Sequence, residues 1–174
     1  ESYRNVKDTT IGASWAIFDN QENKKLDFAY DGKMKADIYH DEKGILIDSF
    51  NVRKLPFRPL TVPFYFQTES IIRYILENKD STTVEQKEME DEIYIKLTIH
   101  EDKQVEFFGK AHYIPKPPFF IDPTSIYELW ISKKTNLPFK YRKEMFHNTI
   151  VGSVSNSEFN KMKIEDFVPS AYFP

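Results

Sequence analysis

Four histidines, His40, His100, His112 and His147, are the side chains best suited to ligate a metal or move a proton near neutral pH. They stand far apart in the sequence, in or next to turns and loops, and none has a partner at a metal-ligand spacing. Each therefore reads as an exposed turn histidine. Cysteine is absent, which excludes thiol catalysis and thiolate metal sites in this segment and leaves the compartment open. The acidic cluster Glu85, Glu88, Glu90, Asp91 and Glu92 could in principle hold calcium, but it lacks the glycine turn and the set ligand spacing of an oxygen site. It reads as the solvated end of a charged hairpin. No Gly-x-Ser-x-Gly, glycine-rich phosphate loop or recognisable Ser, His and Asp set occurs. Carboxylate pairs meet only in three dimensions, and nothing in the sequence picks one out. The segment is read as non-catalytic, with no cofactor.

What stands out is aromatic content: 15 Phe, 10 Tyr and 2 Trp in 174 residues. Net charge is −3, from 24 basic and 27 acidic residues, and no basic run stands out. That balance excludes nucleic acid as the principal partner. No apolar run approaches the roughly 20 residues that span a bilayer, so no transmembrane segment is expected. The length fits a single domain over residues 1–174. A start on Glu1 and an end on Tyr172-Phe173-Pro174 read as a processed or cut piece of a longer chain.

The elements that must position these side chains are mostly strands. Glu1 to Asp8 reads as the last turns of a helix, with Tyr3 and Val6 as its apolar face. From Thr10 to Phe18 the period is two, with both faces partly apolar. Leu26, Phe28 and Tyr30 alternate next, Asp31-Gly32 reads as a type I′ hairpin turn, and Met34, Ala36 and Ile38 run back. Ile45 to Phe50 completes a four-strand antiparallel meander. Lys54 to Phe66 carries Pro56, Pro59 and Pro63 among apolar residues, so it reads as a loop or edge segment, either a lid over the core or a gate to a cavity. Thr68 to Lys79 is the one helix, with Thr68 as N-cap and Ile71, Ile72, Ile75 and Leu76 as its stripe.

Thr82 to Met89 reads as a polar strand, and Ile93, Ile95, Leu97 and Ile99 give the clearest alternation in the chain. Val105, Phe107 and Gly109 run back from a turn at Glu101-Asp102-Lys103, and Ala111 to Ser125 reads as a second proline-aromatic loop. Tyr127 to Lys143 is strand, polar connection, strand, and further strands are expected at Thr149 to Ser155 and Phe159 to Ile164. Residues 166–174 read as an extended tail.

About ten strands at roughly 4.8 Å spacing would make a sheet some 45 Å wide, which one helix about 10 Å across does not cover. The expected fold is mainly β (α+β): a curved antiparallel sheet, or unclosed barrel, with the central helix on its concave side. Either a groove lined by Phe, Tyr, Ile and Leu remains on that side or the aromatics fill it.

Leu129-Trp130-Ile131-Ser132-Lys133-Lys134-Thr135-Asn136-Leu137-Pro138 resembles the strand, Asp-x-Lys-Thr-Gly-Leu-Pro turn, strand pattern of the periplasmic lipoprotein-carrier (LolA/LolB-like) fold family, with Ser132 for Asp and Asn136 for Gly. The element order resembles that family as well. The resemblance implies a non-catalytic, exported module of the periplasm or cell envelope that holds a hydrophobic small molecule or lipid, or docks a partner. Trp15, Phe28, Ile72, Leu76 and Trp130 are its candidate concave-face residues. The stretch from Ile164 to Pro174 also resembles the junction before a thioredoxin-like domain, which implies, as the alternative, a structural front domain for a fused or partnering thiol-disulfide oxidoreductase.

Overall fold

In the computed structural model the described residues are 1–19, 25–54, 57–59, 61–78, 82–100, 103–115, 124–145 and 148–154. The expected strand over residues 159–164 and the tail over 166–174 lie outside them. The chain is mainly β, with antiparallel sheets that do not close on themselves and one helix among the described residues. It divides into two compact units, residues 1–63 with 158–174, and residues 64–157.

The first unit is a five-strand meander in chain order: β1 (Ser2–Arg4), β2 (Ala13–Phe18), β3 (Leu26–Tyr30), β4 (Met34–Tyr39) and β5 (Gly44–Ser49). The alternation from Leu26 onward gives the strands that it predicts. The expected helical turns at the N-terminus are instead β1, which pairs with β2 through Ser2 opposite Trp15 and Arg4 opposite Ala13. An isolated i, i+3 pair is too little to outweigh an open sheet edge. Pairing begins at Ala13 and not at Thr10, because Gly12 has φ +83° and the amides of Thr10, Ile11 and Gly12 turn onto the buried carboxylate of Asp8. The β3–β4 turn closes between Asp31 and Met34 with a positive φ at Gly32 alone, so its central pair is Gly32-Lys33 in the manner of a type II′ turn. A side chain at Gly32 would collide with the Asn5 amide, which donates to Ser14 Oγ at 2.9 Å and to the Asp31 carbonyl at 3.1 Å.

Register sorts the faces of this sheet. Trp15, Tyr30 and Lys35 stand in one row and Ile17, Phe28 and Asp37 in the next, while Ala16, Ala29 and Ala36 point the other way. Trp15 packs against Phe28 and Tyr30 with ring centroids 5.6 and 4.8 Å away. Lys35 is buried among them and pairs with Asp37.

In the second unit the helix α1 (Phe64–Glu77) is followed by β6 (Thr82–Glu88), β7 (Glu92–His100), β8 (Lys103–Phe107), β9 (Ala111–Pro115), β10 (Thr124–Ser132), β11 (Pro138–Met145) and β12 (Asn148–Ser153). The large sheet has the order β12-β11-β10-β7-β6, and β8 pairs with β9 in a separate two-strand sheet. Two expectations change here. Residues 111–115 form a strand and not the start of a loop, and β8 turns at Gly109 (φ +74°) to pair forward with β9, not back onto β7. The helix starts four residues before Thr68, immediately after Pro63, a residue that suits helix starts because its missing N–H would be unpaired there anyway. Thr68 is therefore no cap: it is buried, and its hydroxyl donates back to the Phe64 carbonyl at 3.0 Å.

Phe64, Ile71, Ile72, Tyr74 and Ile75 of α1 pack with Leu97, Ile99, Val105, Phe107, Tyr127, Leu129 and Tyr141. Phe107 of β8 lies edge-on to both Tyr74 (5.4 Å) and Tyr127 (4.9 Å), so rings occupy the space between helix and sheet. Leu76, expected in the stripe, is 64% exposed, because it lies five residues and about 140° round the helix from Ile71.

Candidate functional site

One end of the second unit carries an open cleft of about 400 Å³, lined by Tyr65, Asp91, Glu92, Ser132, Thr135, Leu137, Pro138, Phe139 and Val154. Two hairpin turns build it. The β6–β7 turn is closed by the Met89 amide on the Glu92 carbonyl (2.9 Å) and holds Asp91 at its tip. The β10–β11 turn is closed by Ser132 N–H on the Leu137 carbonyl (3.0 Å), with Asn136 in the left-handed region at φ +56°. Asn is the residue that best tolerates such a φ after Gly. Lys133 N–H donates to the Asp91 carbonyl at 2.9 Å and ties the two turns together. Val154 is fixed beside them by its backbone N–H, which donates a hydrogen bond to the Phe139 carbonyl, also 2.9 Å. The resulting wall has apolar and aromatic side chains on the β11 and helix sides and two carboxylates on the β7 side.

The rest of the sheet carries charge on the face away from α1. Tyr94 Oη and Arg142 Nη1 both donate to the Glu128 carboxylate at 2.5 Å, and Arg142 Nη2 donates to Glu144 at 2.6 Å. Partial burial, and after it the bond to Glu128, pushes the Tyr94 phenol up to about 12. Desolvation acts to raise Glu128, but the bonds from Tyr94 and Arg142 outweigh it and hold the carboxyl below its usual range. Because the Tyr94 phenol ionises near 10 when unfolded and near 12 when folded, its contribution to stability is fully present below about pH 10 and is lost as pH rises through about 12. The Tyr94→Phe chain should therefore lose melting temperature less steeply than the parent between those values. Parallel curves would contradict this account.

On the helix-facing side, Lys143 and Glu106 form a buried ion pair between β11 and β8, and Gln104 donates to the same carboxylate. Tyr127 Oη donates to the Val105 carbonyl at 2.7 Å, and complete burial, then the Glu106 charge, keeps this phenol neutral well above its ordinary pKa. These groups fasten the small sheet to the large one. Among the described residues no three His, Asp or Glu side chains gather as a metal site. His40 bonds Asp27 at 3.0 Å. His112 is half-buried on β9 against Phe108, not an exposed turn residue, and burial lowers its pKa. His147 lies outside the described residues.

Of the five residues singled out in the sequence, two lie in the first unit and three in the second. Trp15 and Phe28 pack on each other within the first unit. In the second, Ile72 packs on the core that contains Leu129, and Leu76 is exposed. Trp130 follows Leu129 in a strand and so points to the opposite face, where it lies 5.3 Å from the Tyr94 ring and 4.4 Å from Lys140 Nζ. No protein-family model matches the chain, and neither the curated proteins nor the solved structures contain a match to it. Among the described residues no helix is long and apolar enough to cross a membrane.

Sequence reading did not nominate the cleft residues. Two signals pointed near them: the aromatic run 64–66, taken as part of a loop that could gate a cavity, and the Leu137-Pro138 pair of the hairpin turn. The run is the first turn of α1, so Tyr65 reaches the cleft from a helix and not from a loop or edge segment.

Proposed function

We propose that this chain is a non-catalytic binding module that holds an apolar small molecule or acyl chain. The observation that carries this reading is the cleft walled by Tyr65, Leu137, Pro138, Phe139 and Val154, whose volume of about 400 Å³ falls in the range of small-molecule sites, roughly 300–1,000 Å³. The reading keeps the ligand class expected from sequence but moves its seat from the concave face to the end of the second unit. Placement in the cell envelope, and a fused or partnering thioredoxin-like domain, rest on the sequence resemblance alone.

Binding is tested with a single-chain amphiphile or a hydrophobic dye, followed by calorimetry and by thermal unfolding. At a ligand concentration one hundred times the dissociation constant, linkage adds about 2.7 kcal/mol to stability and raises the melting temperature. The Phe139→Ala chain should bind more weakly by tenfold or more while remaining folded, because Phe139 is only partly buried. Absence of both binding and a thermal shift in the parent chain would refute the reading.

A further inference from the structure

Asp91 and Glu92 line the same cleft as Tyr65 and Phe139, and neither carboxylate has a hydrogen bond or ion pair among the described residues. Lys87 and Glu90 of the same hairpin are likewise without an ion pair among the described residues, whereas other carboxylates of the sheet are paired. Glu85 is held by Lys96 at 3.1 Å, Glu88 by Lys133 at 3.4 Å, and Glu128 by Arg142. Lys133, one of two lysines in the β10–β11 turn, directs its side chain at Glu88 and only its backbone amide meets Asp91, while Lys134 is exposed and has no ion pair among the described residues. Among the described residues the cleft therefore presents two carboxylates without an ion-pair partner beside two aromatic rings and the apolar surface of Leu137, Pro138 and Val154.

An apolar body with an anionic head would bring like charge to Asp91 and Glu92. A neutral head would leave both solvated and gain nothing from them. A cationic head gains from the carboxylates and from the ring faces, and a quaternary ammonium, which donates no hydrogen bonds, matches aromatic walls particularly well. We propose that the cleft selects amphiphiles with a cationic head, an amine or a quaternary ammonium on an apolar chain. This rests on the binding function proposed above and adds the polarity of the ligand to it.

The test uses decyltrimethylammonium, decanol and decanoate, all below the concentrations at which they form micelles. Affinity is measured by calorimetry, and the site is located by chemical-shift changes at Val154 and Leu137. The expected result is that the ammonium binds at least about tenfold more tightly than decanoate, with decanol between them, which two surface-exposed charge contacts and one cation–π contact would supply. The double variant D91N/E92Q should remove that preference. The control D41N/E42Q, which makes the same change in net charge at exposed positions in the first unit, should keep it. In the parent chain the preference should also shrink between 20 and 300 mM salt, a readout that needs no variant to fold.

Equal affinities for the three probes, or tighter binding of decanoate, would overturn the charge selection and leave the apolar site standing. A preference removed equally by D41N/E42Q would assign it to net charge and overturn the inference as well. Failure of every probe to shift Val154 and Leu137 would remove both the inference and the function on which it rests.

Discussion

Replacing Glu106 with alanine is expected to destabilise the chain by about 3–5 kcal/mol, because it leaves the Lys143 ammonium, on a side chain 8% exposed, without its counter-charge. The Tyr127 ring stands 5.8 Å from Lys143 Nζ, and a single cation–π contact does not make up the loss. Gln104 loses its acceptor in the same substitution. The double replacement Glu106→Leu with Lys143→Met removes both charges together and should recover most of the stability, since desolvating an ion pair costs about as much as its attraction returns. Urea unfolding of the parent, the single variant and the double variant decides the matter. A loss below about 1 kcal/mol in the Glu106→Ala chain would mean that water reaches Lys143, and that the pair does not fasten β8 to β11.

Removal of the Asp8 carboxylate should be nearly as costly, at about 3 kcal/mol. Its oxygens accept the amides of Thr10 at 2.8 Å, Ile11 at 3.2 Å and Gly12 at 3.0 Å, and the Tyr30 hydroxyl at 3.4 Å. Alanine would leave these donors around a site that is 8% exposed, where few of them find water. Asn retains one acceptor oxygen, so Asp8→Asn should lose about half as much as Asp8→Ala. The Tyr30 phenol offers a second readout. Its pKa is raised by burial first and by the Asp8 charge next, so it should ionise at lower pH in either variant than in the parent, as followed by tyrosinate absorbance. If Asp8→Ala unfolds within about 1 kcal/mol of the parent, the loop before β2 is held by something other than this carboxylate.

Together these two sites show what burial does with charge here. Lys35, Lys143, Glu106 and Asp8 all sit at 8% exposure or less as whole residues. Their sequence neighbourhoods give no sign of it, since Lys35 and Lys143 occupy alternating strands that read equally well as solvated. A lysine facing the core is legible only once the partner that neutralises it is known, and Glu106 lies 37 residues from Lys143.

What the sequence determined by itself was the local grammar. The alternation at Ile93 to Ile99 and at Tyr127 to Ile131, with Asn136 ready for a left-handed turn, yields β7, β10 and their neighbours, because side-chain period and turn geometry are properties of a few consecutive residues. Where a local signal was short, tertiary pairing overrode it. Ser2–Arg4 joined an open sheet edge as a strand, Ala111–Pro115 paired with β8, and the helix extended back to Phe64 where Tyr141 receives that ring at 5.7 Å. Only the tertiary structure could decide the cleft. Tyr65, Asp91, Glu92, Ser132, Thr135, Leu137, Pro138, Phe139 and Val154 come from a helix start, two turns, the start of β11 and the residue after β12, and no periodicity links them. Asp91 and Glu92 looked like a solvated hairpin end in the sequence, and they still border solvent. What sets them apart is that folding brings aromatic rings to the same opening and directs Lys133 to Glu88.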